Sequence, residues 1–173
     1  MWKDIPNFEG QYQVSDNGLV RSVERHITDS KNHFYTIKSR ILRPNKTKNG
    51  YLIVHLCKNG KRHALYIHKL VAEAFIPNPN NHPIVNHKNG DKTRCDISNL
   101  EWSTYSENNQ HAYDTGLKPR GEGQYKAKLT ENDVVQIRKQ GKTGTFESIA
   151  QQYGVSKATI RDVLSHKTWK HVT

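Results

Sequence analysis

The chain has very little cysteine and no long apolar run, and both absences limit what it can be. Only Cys57 and Cys95 occur among 173 residues, far apart and outside any spacing typical of zinc ligands. We therefore expect reduced, structural thiols and no structural zinc. No segment approaches the about 20 apolar residues of a transmembrane helix, and the residues after Met1 do not resemble a signal peptide. These features predict a cytoplasmic protein without a membrane partner.

Acidic residues are also scarce relative to basic ones. The 27 Lys and Arg residues outnumber the 16 Asp and Glu residues, which gives a formal net charge of +11 and an isoelectric point near 9.7. The excess is spread along the chain. Such a charge attracts a polyanion and makes binding salt-dependent, so nucleic acid is the expected partner. Because only 34% of the residues are hydrophobic, we expect small modules with modest cores.

The most informative residues lie in the middle of the chain. His87 lies on a short apolar stretch, Asn99 closes the polar loop that follows, and Asn108 falls on the next predicted helix. A histidine can act as a general base near neutral pH when its other ring nitrogen is fixed by a partner. Mg²⁺ needs only one or two protein oxygens beside phosphate and water. Together these residues have the chemistry needed to hydrolyse a phosphodiester bond.

This order of residues resembles the ββα-metal site of HNH endonucleases, in particular the HNH homing endonucleases of phage introns. The resemblance implies that His87 is the general base, and that Asn86 and Asn108 hold one Mg²⁺ or Mn²⁺ ion. It implies that Asn99 supports the loop and orients the base. The family often has Asp where this chain has Asn86, so the ligand here would be neutral and weaker. His111 is an alternative ligand or a contact to the scissile phosphate, and an exposed helix histidine is the other interpretation.

The helix that carries Asn108 has local start and stop signals. Thr104 and Glu107 have the spacing of a capping box, and Gly116 follows the last apolar position. The pattern predicts a helix from about Thr104 to about Tyr113. Asn108 then lies in or just after the first turn, where backbone N–H groups also favour a phosphate.

Residues 44–115 are predicted to form the nuclease domain. It begins with a hairpin around Asn59 and Gly60, whose sequence is the strongest short signal for a hairpin turn. A short helix from His68 to Phe75 follows, and we interpret His68 as structural because it precedes the motif at a strand–helix junction. The loop after His87 carries three basic residues expected to face the DNA backbone: Lys88, Lys92 and Arg94.

Residues 1–43 are predicted to form a separate, small antiparallel β module. This stretch resembles the N-terminal module that precedes HNH sites in homing endonucleases, where a small sheet contacts DNA. Its strand candidates are residues 12–14, 19–23, 34–37 and 40–43. Its candidate DNA contacts are Arg21, Arg25 and Arg40, although a solvated surface charge explains each of them equally well.

A linker over residues 116–124 leads to a predicted all-α domain over residues 125–173. Ala150 and Gly154 have the small-residue and turn spacing of a helix-turn-helix, and Ser156 would cap its recognition helix. The candidate DNA contacts of this domain are Lys157, Thr159, Arg161 and Lys167. A three-helix packing module is the alternative.

The sequence thus predicts an α+β protein with a small antiparallel β N-terminal module, a central ββα-metal HNH nuclease module and a C-terminal all-α helix-turn-helix. We expect a metal-dependent, site-specific DNA endonuclease, encoded by a phage and active in a bacterial host cell. Its asymmetric modules suggest a monomer that nicks a long asymmetric site in double-stranded DNA. A non-catalytic helix-turn-helix regulator would explain the charge and the C-terminal segment, but not the central residues. An RNA-binding or structural protein would explain only the charge.

Overall fold

The structure, a computed structural model, describes residues 1–28, 31–141 and 143–173. These residues form two compact units, Met1–His111 and Ala112–Thr173. The strands are β1 Trp2–Asp4, β2 Tyr12–Ser15, β3 Val20–Ser22, β4 Arg25–Thr28, β5 Phe34–Ile37, β6 Arg40–Ile41, β7 Asn45–Lys46, β8 Leu52–Lys58, β9 Lys61–Tyr66, β10 Ile84–His87 and β11 Leu100–Ser103. The helices are α1 Ile67–Phe75, α2 Tyr105–Asp114, α3 Glu131–Gln140, α4 Phe146–Gln152 and α5 Lys157–Leu164. This composition confirms the predicted α+β class.

The first unit is built from small antiparallel sheets. Their strand orders are β1-β2-β3-β6, β4-β5, β7-β8-β9 and β10-β11. The turn between β8 and β9 is the predicted hairpin, with positive φ at both Asn59 (51°) and Gly60 (73°). Two left-handed residues in succession match the twist of the flanking strands. Each strand predicted from the sequence is present in the structure, and its ends differ from the predicted ends by at most two residues.

One hydrophobic core serves the whole first unit. It joins buried side chains of the N-terminal sheet to those of β8, α1 and β11; they are Ile5, Phe8, Tyr12, Val14, Val20, Val54, Leu56, Ile67, Leu70, Val71, Cys95 and Leu100. The boundary predicted between residues 43 and 44 falls inside this core. Because the two parts bury their apolar faces against each other, the N-terminal sheet supports the nuclease residues directly.

The turn between β2 and β3 approaches the loop that follows β10. Gly18 has φ +79°, and a Cβ built there would lie 3.0 Å from the Cβ of Cys95. The Ile97 amide also donates to the Asp16 carbonyl oxygen at 3.0 Å. These contacts fix one end of the loop to the N-terminal sheet. A side chain at Gly18 would be strained and would push the loop away.

The second unit is a small helical bundle with a separate apolar core. Its buried residues are Leu129, Val134, Ile137, Ile149, Ala150, Ile160, Val163 and Val172. Helix α4, the turn at residues 153–156 and helix α5 follow one another, and Gly154 in the turn has φ +62°. Ser156 caps α5 as predicted, because its side chain accepts from the Thr159 amide at 3.1 Å.

Part of the predicted linker is ordered in this second unit. Residues Gly121–Gly123 form a 3₁₀ turn, and a Cβ built at Gly121 would lie 2.7 Å from the Trp169 ring. The segment therefore packs closely on the C-terminal part of the bundle. Among the described residues, no helix has the length and apolarity to cross a membrane.

Candidate active site

Strands β10 and β11 and helix α2 form a strand–loop–strand–helix unit. His87 is the last residue of β10, and it pairs with Leu100, the first residue of β11. A backbone hydrogen bond joins Lys88 to Asn99, and the ten-residue loop between them contains Lys92 and Arg94. Helix α2 begins two residues after β11 ends. The chain thus has the ββα order that the sequence predicted.

Asn99 supports the loop with both ends of its amide. Its Oδ1 accepts from the Asn89 backbone amide at 3.1 Å, and its Nδ2 donates to the Arg94 carbonyl oxygen at 2.8 Å. The Lys88 amide donates to the Asn99 carbonyl oxygen at 2.8 Å. Asn99 is buried, so these bonds form away from water and hold the loop firmly.

The His87 ring lies in a buried position. Its exposed fraction is 5%, and burial holds the pKa of the imidazole below its usual range. Asp91 opposes this shift and Lys92 reinforces it. A lowered pKa keeps the ring neutral at neutral pH, which is the protonation state that a general base needs.

Asn86 is held by a partner that the sequence analysis did not identify. Its Nδ2 donates to Oε1 of Glu101 at 2.8 Å, and the two residues pair directly across the β10–β11 hairpin. A carboxylate only accepts hydrogen bonds, so the amide nitrogen must be the atom that faces Glu101. The carbonyl oxygen of Asn86 is thereby left for another partner. The antiparallel pairing of β10 with β11 was the signal that could have identified Glu101, because it places Glu101 opposite Asn86.

Helix α2 is fixed at its start and on one face. Thr104 and Glu107 form the predicted capping box, with bonds of 2.7 and 3.2 Å between side chains and backbone amides. His111 Nε2 lies 2.9 Å from the Lys88 carbonyl oxygen, and since that oxygen only accepts, Nε2 must donate. Asn108 lies three residues earlier on the same helix face. That face is therefore turned toward the end of β10.

The three basic residues of the loop are exposed and have partners in the first unit. Lys88 Nζ donates to the Ser98 carbonyl oxygen at 3.2 Å, and Lys92 Nζ donates to the Asn49 carbonyl oxygen at 3.1 Å. Arg94 forms an ion pair of 2.9 Å with Asp96. Exposed pairs of this kind are weak, so these cations can exchange their partners for phosphate.

Two of the three N-terminal arginines are engaged within the fold. Arg21 donates twice to Gln13, at 3.0 and 2.7 Å, and its guanidinium lies 4.3 Å from the centre of the Trp2 ring. Arg25 donates to the carbonyl oxygens of Gln11 and Val23 at 3.2 and 3.3 Å. Arg40, on the short edge strand β6, is exposed. Of the three, Arg40 is the one whose placement best suits contact with a polyanion.

The second unit presents its candidate cations on and after α5. Lys157 forms an ion pair with Glu147, and Arg161 forms one of 3.3 Å with Asp162. Thr159 contacts the Ser156 hydroxyl at 3.0 Å, so its side chain takes part in the helix cap. Lys167 is exposed in the segment that follows the helix. Lys157 and Thr159 lie at the start of α5, Arg161 lies within it, and Lys167 follows its end.

His68, interpreted from the sequence as structural, lies against the predicted base. The centroids of the His68 and His87 rings are 5.0 Å apart, with an interplanar angle of 65°. Burial, followed by the nearby His87 and Lys69, lowers the pKa of His68 to about 4. Nothing in the local sequence indicates this contact, because the two histidines are far apart in the chain and meet only through folding.

Comparison with known proteins assigns the family. The NUMOD4 motif matches residues 1–57, and the HNH endonuclease family matches residues 65–110. The DNA endonuclease I-HmuI of Bacillus phage SP01 is 30% identical over 168 residues, which cover 94% of this chain and 88% of that protein. The chain belongs to the HNH endonuclease family. This confirms the resemblance and the expectation of a nuclease.

Two further comparisons support the assignment. A solved structure entitled "DNA binding and cleavage by the HNH homing endonuclease I-HmuI" matches with a TM-score of 0.57 and 25% identity, over 96% of this chain and 90% of that one. The HNH endonuclease L245 of Acanthamoeba polyphaga mimivirus is 36% identical over 117 residues. This HNH chain spans only 31% of the L245 protein, so L245 contains much that is absent here.

Proposed function

We propose that the chain is a metal-dependent, site-specific DNA endonuclease in which His87 is the general base. The observation that carries the proposal is the position of His87, which is buried and located where β10 meets the loop supported by Asn99. Burial also lowers the pKa of His87. Family membership provides independent support, since I-HmuI is named a DNA endonuclease.

His87 would act on the water that attacks the phosphorus. The neutral ring accepts a proton from that water as its oxygen forms the new bond to phosphorus. The bond from phosphorus to the leaving sugar oxygen then breaks, and that oxygen takes up a proton to become a hydroxyl. Removal of such a base typically slows a reaction by about 10²–10⁴-fold.

Asn86 and Asn108 are the proposed metal ligands. Their amide oxygens suit Mg²⁺ or Mn²⁺, which prefer oxygen donors, and the bond to Glu101 leaves the oxygen of Asn86 for this role. Among the described residues, no group of three or more His, Cys, Asp or Glu side chains could hold a metal. One ion held by two amides and by substrate phosphate fits this sparse donor set. Such an ion would stabilise the charge that develops on the phosphate.

His111 is the weaker candidate for the second ligand. Its Nε2 is engaged with the Lys88 carbonyl oxygen, so the ring already joins α2 to the end of β10. We therefore assign Asn108 to the metal and give His111 the role of holding α2 against the end of β10. A direct contact between His111 and the scissile phosphate remains compatible with its place on the same face.

Double-stranded DNA is the proposed substrate, and the modules of the chain would bind it on an extended site. The charge of +11 supplies non-specific affinity. The N-terminal sheet and the helix-turn-helix of α4 and α5 differ in structure, which favours a monomer on a long asymmetric target. One active site would then cut one strand and leave a nick. Because I-HmuI comes from a phage, we place the activity in an infected bacterial host cell.

A nicking assay tests the proposal. Supercoiled plasmids that carry fragments of candidate phage and host DNA are incubated with the protein and Mg²⁺, with EDTA, or with Mn²⁺. We expect open-circular product at a unique position with either metal and none with EDTA. Tight, sequence-specific binding with no cleavage under either metal would contradict the proposal and would favour the regulator instead.

A further inference from the structure

Two buried ring nitrogens next to the active site have no hydrogen-bond partner among the described residues. They are Nδ1 of His68 and Nε2 of His87. Both histidines are only 5% exposed, and their rings contact each other. A buried polar atom without a partner destabilises the fold, so two such atoms on touching rings require an explanation.

The surroundings of the two rings are aromatic. The Tyr51 ring lies 5.1 Å from His68 and 5.9 Å from His87, and Tyr66 lies 5.4 Å from His68. Lys92 Nζ lies 4.8 Å from the centre of the Tyr51 ring. Neither tyrosine forms a hydrogen bond with Nδ1 of His68 or Nε2 of His87, so the two ring nitrogens can complement each other.

Two neutral imidazoles can share one hydrogen bond, and either ring can be the donor. One ring nitrogen must carry the proton and donate, while the other must lack the proton and accept. The 5.0 Å between the two ring centroids is short enough for one N–H···N hydrogen bond when the two nitrogens face each other. A general base also needs its second ring nitrogen fixed, because this bond sets the tautomer and the direction of the reactive nitrogen.

We propose that His68 is a positioning residue for His87, with Nδ1 of His68 accepting a hydrogen bond from Nε2–H of His87. This bond holds His87 in the tautomer whose Nδ1 is unprotonated and ready to accept the proton of water. The inference deepens the proposed function and rests on His87 being the base. His68 does not touch the reacting atoms, and no proton leaves it during the reaction.

The position of His68 in the fold suits this role. It lies in the first turn of α1, between Ile67 and Leu70, which are both buried in the core of the first unit. Its backbone is therefore rigid, and a rigid support is what precise orientation of a neighbouring ring requires. A phenylalanine would fill similar space without leaving a buried nitrogen, so simple packing does not account for a histidine here.

Nitrogen NMR of the full chain, labelled with ¹⁵N in its histidines and kept free of metal, tests the proposal without any cleavage. The ring shifts report which nitrogen of His87 carries the proton. We expect the Nε2–H tautomer to dominate in the unaltered chain. His68→Phe keeps a ring but removes the acceptor, and it should give a mixture of tautomers. His68→Asn places an amide oxygen near the position of Nδ1 and should restore the Nε2–H form.

Cleavage kinetics provide the second measurement. His68→Phe should lower kcat by up to about tenfold, the value of one net hydrogen bond, with KM unchanged because His68 does not contact DNA. His68→Asn should recover most of the loss. Tyr66→Phe is the matched control, since it alters the other side of His68 but keeps the ring contact; it should leave both kcat and the tautomer unchanged.

The outcomes separate this inference from the proposed function. A dominant Nδ1–H form, or an equal mixture, in the unaltered chain would overturn the role of His68, and this result does not depend on whether any variant folds. Equal tautomers and equal kcat in the unaltered chain and His68→Phe would overturn it as well. If the tautomer behaves as expected but His87→Ala still cuts DNA, the proposed function fails while the hydrogen bond stands.

Discussion

The two units of the chain bury different kinds of side chain. The first unit places seven polar residues among its described buried positions: Ser15, Ser22, His68, Asn86, His87, Asn99 and Ser103. Among the described residues of the second unit, every buried residue is apolar. In that unit the polar groups instead lie at exposed helix starts, as in the capping box of Thr130 and Asp133.

This difference fits the roles proposed for the two units. Burial of a polar group costs free energy unless it is hydrogen-bonded, so a unit whose polar side chains bind a partner keeps them at its surface. Catalysis requires buried polar side chains instead, since a general base must be fixed in place and kept neutral. Four of the seven buried polar residues, His68, Asn86, His87 and Asn99, lie at the proposed active site. On this proposal, the first unit gives up part of an apolar core for catalysis.

The largest loss of cleavage should come from substitution of His87 in the first unit. His87→Ala should lower cleavage by more than about 100-fold, because it removes the general base. DNA affinity should remain close to that of the unaltered chain, because the basic residues are intact. Plasmid nicking with Mg²⁺ measures the first effect, and a gel-shift assay measures the second.

A histidine that is exposed, unlike the buried His87, gives the control for this variant. His63→Ala alters an exposed histidine on β9 and should leave nicking within about twofold, which is the scale of an ordinary surface change. Near-normal cleavage by His87→Ala would show that the buried polar cluster is not the catalytic site.

The pH dependence of stability should differ between the units. The pKa of His68 is lowered from 6.5 to about 4, and that of His87 is also lowered by burial. Below pH 6.5 the unfolded chain takes up protons that the folded unit resists, so acid destabilises the fold. His68 alone should lower the free energy of unfolding of the first unit by about 2 kcal/mol between pH 7.5 and pH 5.

Tryptophan fluorescence during urea unfolding can measure this slope. In a Trp169→Phe background, only Trp2 and Trp102 remain, and both lie in the first unit. His68→Phe in the same background should remove most of the slope. A slope that this substitution leaves undiminished would mean that His68 is not strongly desolvated.

The exposed cations of the second unit should affect the affinity for DNA and should not affect the rate of cleavage. The double variant Lys157→Ala/Arg161→Ala should weaken specific DNA binding by tenfold or more, since a single specific contact is worth about 1–3 kcal/mol. The cleavage rate at saturating protein should change little. Glu147→Gln is the matched control, because it removes the acidic partner of Lys157 and should keep or raise the affinity.

Footprinting decides between the two interpretations of this helix pair. The unaltered chain should protect a tract that extends to one side of the nick, and the double variant should lose the distal part. If both protect the same tract with equal affinity, α4 and α5 form a packing module and do not read DNA.

The smallest effect is expected at the pair of Asn86 and Glu101. Glu101→Leu should weaken the apparent affinity for Mn²⁺ by a few-fold up to about tenfold, because the amide of Asn86 loses the acceptor that orients it. Glu101→Gln retains an acceptor oxygen and should lose less. Titration of Mn²⁺ by electron paramagnetic resonance with an uncleavable DNA analogue measures both. Equal affinities in all three proteins would show that Glu101 does not orient a ligand.

Much of the fold and of the candidate site could be predicted because the residues that specify them lie close together in the sequence. The capping box of Thr104 and Glu107, the cap at Ser156 and the Asn59-Gly60 turn each depend on residues within four positions of one another. The polar loop depends on Asn99 and a backbone a few residues away. Short-range interactions of this kind leave a pattern that can be recognised in one sequence.

The sequence by itself therefore determined the family, the α+β class, the ββα order and the identity of the candidate base. Only the tertiary structure decided that residues 1–43 share a core with the nuclease residues, that Glu101 holds Asn86, and that His68 lies against His87. The physical reason is sequence separation. Contacts between distant segments depend on register and on side-chain packing across several elements, and one sequence without its fold contains no local pattern that specifies them.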